Sequence, residues 1–289
     1  MAKGRLYIVS TPIGNLDDIT FRAIETLKKV DYIACEDTEH SLKLLNHYGI
    51  KKPLISYWSQ KEKVRAEELI QKIKAGHSVA VITDAGTPGI SDPGAIVIKK
   101  AIQENIDIIP VPGPSALIAA LSVSGLPSDE FTFVGFLPVK QSQRKRKLLE
   151  LSSEKRTIIF YEAPHRILQT LYDMLEVLGD RYITVARELT KIYEEVLRGK
   201  LSEVIEKLEQ SKIAGEYVIV VEGASETPKV LDEALQEVRE LMRKGKGRKE
   251  AVKIVSELYN LSKKELYEKS LKMENENSLF NKTGENRNS

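Results

Sequence analysis

The amino-acid sequence predicts an α/β protein built as two α/β domains followed by a small helical module. Three observations carry that expectation. Up to residue 111, short β-rich runs alternate with helical patterns, the rhythm of a largely parallel sheet. From residue 131 strand-like runs follow one another more often, which implies a mixed sheet. After Gly223 only helical periodicity is left. A length of 289 residues allows two domains or slightly more.

The first domain, residues 1–119, opens on the strand RLYIVS and continues with a helix over 20–30, the strand DYIAC and a helix over 38–48. An amphipathic stretch over 60–75, the strand SVAVIT, a helix over 93–104 and the strand IDIIPV complete the series. From Ile108 to Ser128 there are 21 residues without a charge, long enough to resemble a membrane span. Pro110, Pro112, Pro114 and Pro127 would break such a helix, so the segment reads as a buried strand, a tight loop and a buried helix, with no membrane contact. The second domain, 120–224, holds the strands FTFVGF, RTIIFYE, YITVARE, EEVLRGK and EYVIVVEG, with helices over 165–178 and from Leu201. Ser225–Lys229 reads as a linker. Residues 229–272 form the helical module, apolar at Val230, Leu231, Ala234, Leu235, Val238, Leu241, Ala251, Ile254, Val255 and Leu258, with Ser262 and Glu265 as a capping box for a last helix. Residues 273–289 contain five asparagines and too little apolar content to pack, the composition of a disordered tail.

Composition narrows the chemistry. One cysteine, Cys35, and four histidines are too few for a disulfide framework or a structural zinc module, so no metal is expected. The opening MAKGRLYIVSTPIG is too briefly apolar for a signal peptide, which points to the cytoplasm. With 44 basic and 42 acidic residues the net charge is only +2, so any nucleic-acid contact must come from local patches. From Lys229 onward 14 basic and 11 acidic residues give +3, against −1 for everything before.

The most informative segment is TDAGTPGISDPG, residues 83–94, directly after a buried strand. Its glycines and prolines make a loop of fixed shape that a ligand can approach closely, and in an open α/β sheet ligands lie at the carboxyl ends of strands. The bland alternative is a strand-to-helix turn with Asp92 capping the next helix. Similar loops follow two other strands: Ser10-Thr11-Pro12-Ile13-Gly14-Asn15-Leu16 and Pro112-Gly113-Pro114-Ser115-Ala116. Three such loops in one domain favour a small-ligand site over coincidence.

TPIGNLDDIT, ACEDT, LLNHYGI, TDAGTPGISDPG, PGPSALIAALSVSG, FVGFLP, IFYEAPHR and ARELTKIYEE, with the late GEYVIVVEG, stand in an order and spacing that resembles the bacterial small-subunit ribosomal RNA (cytidine-2′-O)-methyltransferases. The resemblance runs from about residue 4 to 224 and more loosely through the helical module. It implies the tetrapyrrole-methylase fold and S-adenosylmethionine in the inter-domain cleft. It also implies a homodimer acting on the ribose 2′-hydroxyl of a cytidine in the decoding region of 16S rRNA, within the 30S subunit. The residues it implies for the cofactor are Pro12, Gly14, Asp84, Gly86, Thr87, Pro88, Ser115, Ala116, Tyr161, Glu162 and Ala163. Asp84 can also be a loop cap, though the ligand role is the favoured reading. One departure stands out: Glu39 occupies the place of an arginine in the family's Glu-Asp-Thr-Arg-His, which reverses the charge there and weakens any phosphate contact.

Methyl transfer to a hydroxyl needs alignment and removal of one proton, without a metal. Glu36, Asp37, Glu188 and Lys191 are candidates for that proton, and Glu162, His165 and Arg187 also follow strands. Asp37 can instead cap the helix starting near Thr38. For RNA, Lys140, Arg144, Lys145, Arg146 and Lys147 form a run without an acid, and Lys246 and Arg248 belong to a basic turn in the module. Taken alone, the first run reads rather as a solvated helix face, and the second equally as a plain helix–turn–helix. Two other functions compete: a porphyrinoid C-methyltransferase of the same fold, and a non-catalytic RNA-binding assembly factor.

Overall fold

The computed structural model describes residues 4–58, 62–224, 228–259, 261–264 and 266–271. The strands β1 (Leu6–Val9), β2 (Tyr32–Cys35), β3 (Leu54–Ser56), β4 (Val79–Val81) and β5 (Ile108–Val111) form a parallel sheet in the order β3-β2-β4-β1-β5. Central β4 is buried on both faces, which is why its sequence is apolar throughout. Pro110, which cannot donate to a ladder, sits on the edge strand β5. One face packs on α3 (Glu62–Lys74) and α4 (Ala95–Gln103) through Leu69, Ile73, Val97 and Ala101. The other packs on α1 (Phe21–Lys29) and α2 (Thr38–His47) through Ala23, Leu27 and Leu45. Thr20 and Asp37 accept amide hydrogen bonds at the starts of α1 and α2. The three-residue edge strand β3 is too short to read from its sequence.

The second sheet is mixed. β6 (Phe131–Phe136) pairs in parallel with β7 (Thr157–Glu162), while β10 (Tyr217–Val221) pairs antiparallel with β7 and β8 (Tyr182–Arg187). β9 (Glu195–Lys200) closes the order β6-β7-β10-β8-β9. The helix α5 (Ala116–Ser122) lies across the expected boundary near residue 120 and packs on this sheet, with Leu117, Ala120 and Leu121 against Ile159, Val218 and Val220. The opposite face carries α6 (Gln141–Glu150), α7 (Ile167–Leu178) and α8 (Leu201–Glu209). In α6 the buried residues are Arg144 and Leu148, one of them charged, so no apolar stripe announces the helix.

The chain divides into two compact units at Gly223 and Ala224. The second unit contains α9 (Pro228–Arg243), α10 (Arg248–Leu258) and helical residues at 263–264 and 266–271. Leu231, Ala234, Leu235 and Val238 pack against Ala251, Val252, Val255 and Leu266, so the module buries its own stripes. Ile254 and Leu258 are exposed instead, and Glu265, the linker residues 225–227 and the tail lie outside the described residues. No helix among the described residues is long and apolar enough to cross a membrane.

Candidate active site

The loops leaving β1, β4 and β5 are tied to one another. Ser10 Oγ and Thr87 Oγ1 share a hydrogen bond of 2.8 Å, and Thr11 exchanges backbone hydrogen bonds with Gly86 at 2.9 and 3.1 Å. The Thr11 hydroxyl donates to the Thr83 carbonyl at 3.0 Å. Gly113 is seated on Ser10, where a Cβ would approach the serine Cβ to 3.0 Å. Facing these loops are the ends of β6 and β7, the segment after β8 and the start of β10. Between them lies a cavity of about 300 Å³, the lower end of the range for small-molecule sites.

Of the expected cofactor residues, Gly86, Thr87, Ser115, Ala116, Tyr161, Glu162 and Ala163 line this cavity. So do Glu188 and Lys191 from the catalytic candidates. Pro12, Gly14, Asp84, Pro88, Glu36 and Asp37 are not among its lining residues. Gly14 acts at one remove: a Cβ there would come within 2.5 Å of Lys191 Cγ, so the absence of a side chain lets the lysine stem lie across the β1 loop. The Asp84 carboxylate accepts the Asp37 amide at 3.3 Å, a structural use. Asp37 itself accepts the amides of Glu39 and His40, which hold its carboxyl below the usual range, so it caps α2. The Glu162 carboxylate is fully engaged, accepting Ala163 N–H at 2.8 Å, Arg166 Nε at 2.9 Å and the Thr170 hydroxyl at 2.6 Å; only the strand end it occupies serves the cavity.

The segment after β8 is strained and tightly bonded. Glu188 and Thr190 have φ of 50° and 68°, left-handed values that cost non-glycine residues about 1–3 kcal/mol each. Glu188 Oε1 accepts from Lys191 Nζ at 2.8 Å and from the Glu216 amide at 3.2 Å. The lysine contact chiefly holds the Glu188 carboxyl below the usual range. Gly215, with φ of 79°, leaves room for that carboxylate, which a Cβ would approach to 2.3 Å.

The sequence does not assign Asp92, which reads as a helix cap, Ile13, which lies in the first loop, Ile90, Phe136 or Glu216 to the site, yet all five line the cavity. Asp92 does not cap α4. Gly94 occupies the cap position without a side-chain bond, and Glu62 Oε1 accepts the Gly94 amide at 2.9 Å from outside the loop. Released from that task, Asp92 is pushed up to about 7, first by burial and then by the charges of Glu36, Asp84 and Glu216.

The RNA run is corrected at one position. Arg144 is buried, with Nε 2.7 Å from Asp173 Oδ2 and a further guanidinium nitrogen 3.0 Å from the Val139 carbonyl, so it holds α6 to α7 and is closed to phosphate. Lys145 pairs with Glu176 at 2.6 Å and Lys147 with Glu150 at 3.0 Å, while Lys140 and Arg146 are exposed. In the second unit Lys246 pairs with Glu250.

Comparison with known proteins decides the family. The model of the tetrapyrrole (corrin/porphyrin) methylases matches residues 5–205. The chain belongs to the tetrapyrrole methylase family. Within it, this methylase is 48% identical to "Ribosomal RNA small subunit methyltransferase I" of Synechocystis sp., over 94% of its own length and 99% of the relative's. The protein of the same name from Thermotoga maritima is 49% identical over 220 residues, 76% of this chain and 99% of that one. Among solved structures, uroporphyrin-III C-methyl transferase from Thermus thermophilus, complexed with S-adenyl homocysteine, shares the fold at a TM-score of 0.55 and 19% identity, covering 76% of this chain and 97% of that one.

The methylase's cavity fits S-adenosylmethionine by the chemistry of its lining. Gly86, at φ of 84°, has only Ile13 Cγ2 near the position of a Cβ, at 3.7 Å, so open space adjoins its backbone. Thr87 and Ser115 offer hydroxyls, Ile13, Ile90, Leu189, Phe136 and Tyr161 offer apolar surface, and Asp92 and Glu216 supply negative charge for a ligand carrying a sulfonium and an ammonium group. Replacing Gly86 by valine should therefore weaken S-adenosylmethionine binding about a hundredfold, or about 2.7 kcal/mol. Gly49→Val provides the control, since Gly49 is also left-handed, at φ of 65°, but has nothing within 4 Å of a Cβ. Calorimetry on both variants separates the two effects: equal, wild-type affinities would place the cofactor elsewhere.

Proposed function

We propose that this methylase transfers the methyl group of S-adenosylmethionine to the ribose 2′-hydroxyl of a cytidine in small-subunit rRNA, in the decoding region, acting as a cytoplasmic homodimer on the 30S subunit. The observation that carries the RNA reading is the 48% identity to the Synechocystis rRNA methyltransferase across 94% of the chain, second unit included. The likeness to solved uroporphyrin and cobalt-precorrin methyltransferases is 18–20% and speaks for the fold alone. S-adenosylmethionine, when bound, supplies an electrophilic methyl group. The chain's own part is to orient the acceptor, exclude water and accept one proton.

Residues Gly86, Thr87, Ser115, Ala116, Tyr161 and Ala163 would hold the cofactor. The Lys191–Glu188 pair closes one wall and leaves Glu188 engaged, so the proton acceptor we assign is Asp92. Exposed Lys140 and Arg146 would meet phosphate, joined by Lys246 and Arg248 of the second unit.

Incubating the protein with undermethylated small ribosomal subunits and labelled S-adenosylmethionine, followed by nucleoside mass spectrometry, tests the reading. The expected product is a single 2′-O-methylcytidine. Label in a porphyrinoid, or none in RNA, would overturn it. A chain ending at Ala224 should still fold and bind S-adenosylmethionine, because all cavity residues lie before it and the second unit has its own core. Its affinity for the subunit should fall and the salt slope of binding become shallower. The Thermotoga relative, accounted for almost entirely by 220 residues, shows that a protein of that name can be about as long as the first unit. Loss of cofactor binding on truncation would instead assign the second unit a structural role.

A further inference from the structure

We propose that Ile192 and Tyr193 form the seat on which the acceptor nucleotide's base stacks, a role that rests on the reading of RNA as the substrate. Ile192 is 95% exposed and Tyr193 78%, two adjacent large apolar side chains that the fold leaves uncovered. They stand on the same short connection between β8 and β9 whose residues Glu188, Leu189 and Lys191 line the cavity. Two peptide units separate Lys191 from Tyr193, so their Cα atoms lie at most about 7 Å apart. The tyrosine's backbone thus stands beside a residue of the cavity wall.

The connection is held rigidly enough to present a surface. The Lys191 amide donates to the Glu188 carbonyl at 2.9 Å, the Glu194 amide to the Lys191 carbonyl at 3.1 Å, and the Thr190 amide to Glu194 Oε2 at 2.6 Å. Lys191 Nζ is anchored on Glu188, and Gly14 lets its stem lie flat beneath. The size of the patch favours a base over a second protein molecule. An aromatic side chain covers about 150–250 Å² at most, whereas a stable dimer needs about 800 Å² from each partner. One exposed tyrosine matches one base. Stacking of this kind tolerates any base, so the seat positions the nucleotide without selecting its identity. An enzyme that works on a nucleotide of folded RNA needs such a seat, because the target must leave its neighbours before its ribose can enter a cavity.

The test is steady-state methylation of undermethylated small ribosomal subunits by wild type, Tyr193→Ala, Tyr193→Phe and Tyr193→Trp. Alanine should lower kcat/KM for the subunit about ten- to a hundredfold with an unchanged Kd for S-adenosylmethionine, and the two aromatic variants should recover most of the loss. Full activity in Tyr193→Ala would overturn the seat while leaving the RNA reading intact. A change of oligomeric state on sedimentation would overturn it too, assigning the pair to a subunit contact. Inactivity of the wild type on RNA would overturn the RNA reading itself.

Discussion

Replacing Arg144 by methionine should destabilise the first unit by up to about 3–5 kcal/mol, the cost of removing the main partner of a buried carboxylate. Asp173 would keep only Lys145 Nζ, at 3.8 Å from its Oδ1, as a cation. The Arg144 and Asp173 side chains are 3% and 2% exposed, and the guanidinium meets Asp173 Oδ2 at 2.6 and 2.7 Å. Gln141 Nε2 also donates to that carboxylate, at 2.9 Å, so Asp173 gathers α6 onto α7. For a unit of this size the melting temperature should drop by roughly 6–20 °C. The reciprocal change, Asp173→Leu, should recover much of the loss when combined with Arg144→Met, because an apolar pair removes the unpaired charge. Scanning calorimetry of the two single variants and the double variant decides it. A melting point unchanged from wild type for Arg144→Met would show the pair to be dispensable. Charge reversal at Arg144 would consequently report on folding, and phosphate contact along α6 is to be tested at Lys140 and Arg146.

Arg144 also shows what the sequence concealed. A helix is legible when its buried side is apolar, and α7, with Ile167, Leu171, Met174 and Leu178 buried, was. In α6 half of the buried side is an arginine whose partner lies on another helix, so the run read as a charged surface. The cavity wall divides in the same way. Gly86, Thr87 and Ser115 were implied as cofactor residues only by the family resemblance, whereas a small-ligand site was legible because three glycine- and proline-rich loops follow strand ends. The loops after β1 and β4 do meet, through the Ser10–Thr87 and Thr11–Gly86 bonds. Phe136 and Glu216 were not legible, since only the pairing of β6, β7, β10 and β8 brings those residues to the same rim. Asp92 stood inside the most informative loop but looked like a helix cap, and only Glu62, reaching over from α3, shows that the cap is supplied by another helix. Asp37 presented the opposite case: a carboxylate that looked chemical and is used to start α2.

Asp92→Asn should lower kcat for RNA methylation by about a hundred- to ten-thousandfold, the usual contribution of a general base. The carboxyl lines the cavity between Ser91, at φ of 64°, and Pro93, in a turn closed by the Gly89 amide donating to the Pro93 carbonyl at 3.1 Å. Burial raises it most, and Glu36 from the end of β2, Asp84 from the loop after β4 and Glu216 from the start of β10 add repulsion, bringing it to about 7. A base so placed takes a proton readily yet is ionised often enough to act near neutrality. The ratio kcat/KM, which reports the enzyme before the cofactor's positive charge enters the cavity, should therefore rise with pH through about 7 and level off above it, and the asparagine variant should lack that step. Stability should move the other way. Because the folded value lies above the unfolded one, the native state binds the extra proton, and wild type loses stability as pH rises from the ordinary aspartate range to about 7. An asparagine side chain carries no charge, so the variant should melt higher than wild type at about pH 8, with the gap closing towards about pH 4. A residue that merely braced the loop would give the reverse, a variant weaker at every pH. A kcat within a few-fold of wild type would remove Asp92 from the chemistry, even if the stability gain in mild alkali appeared as expected.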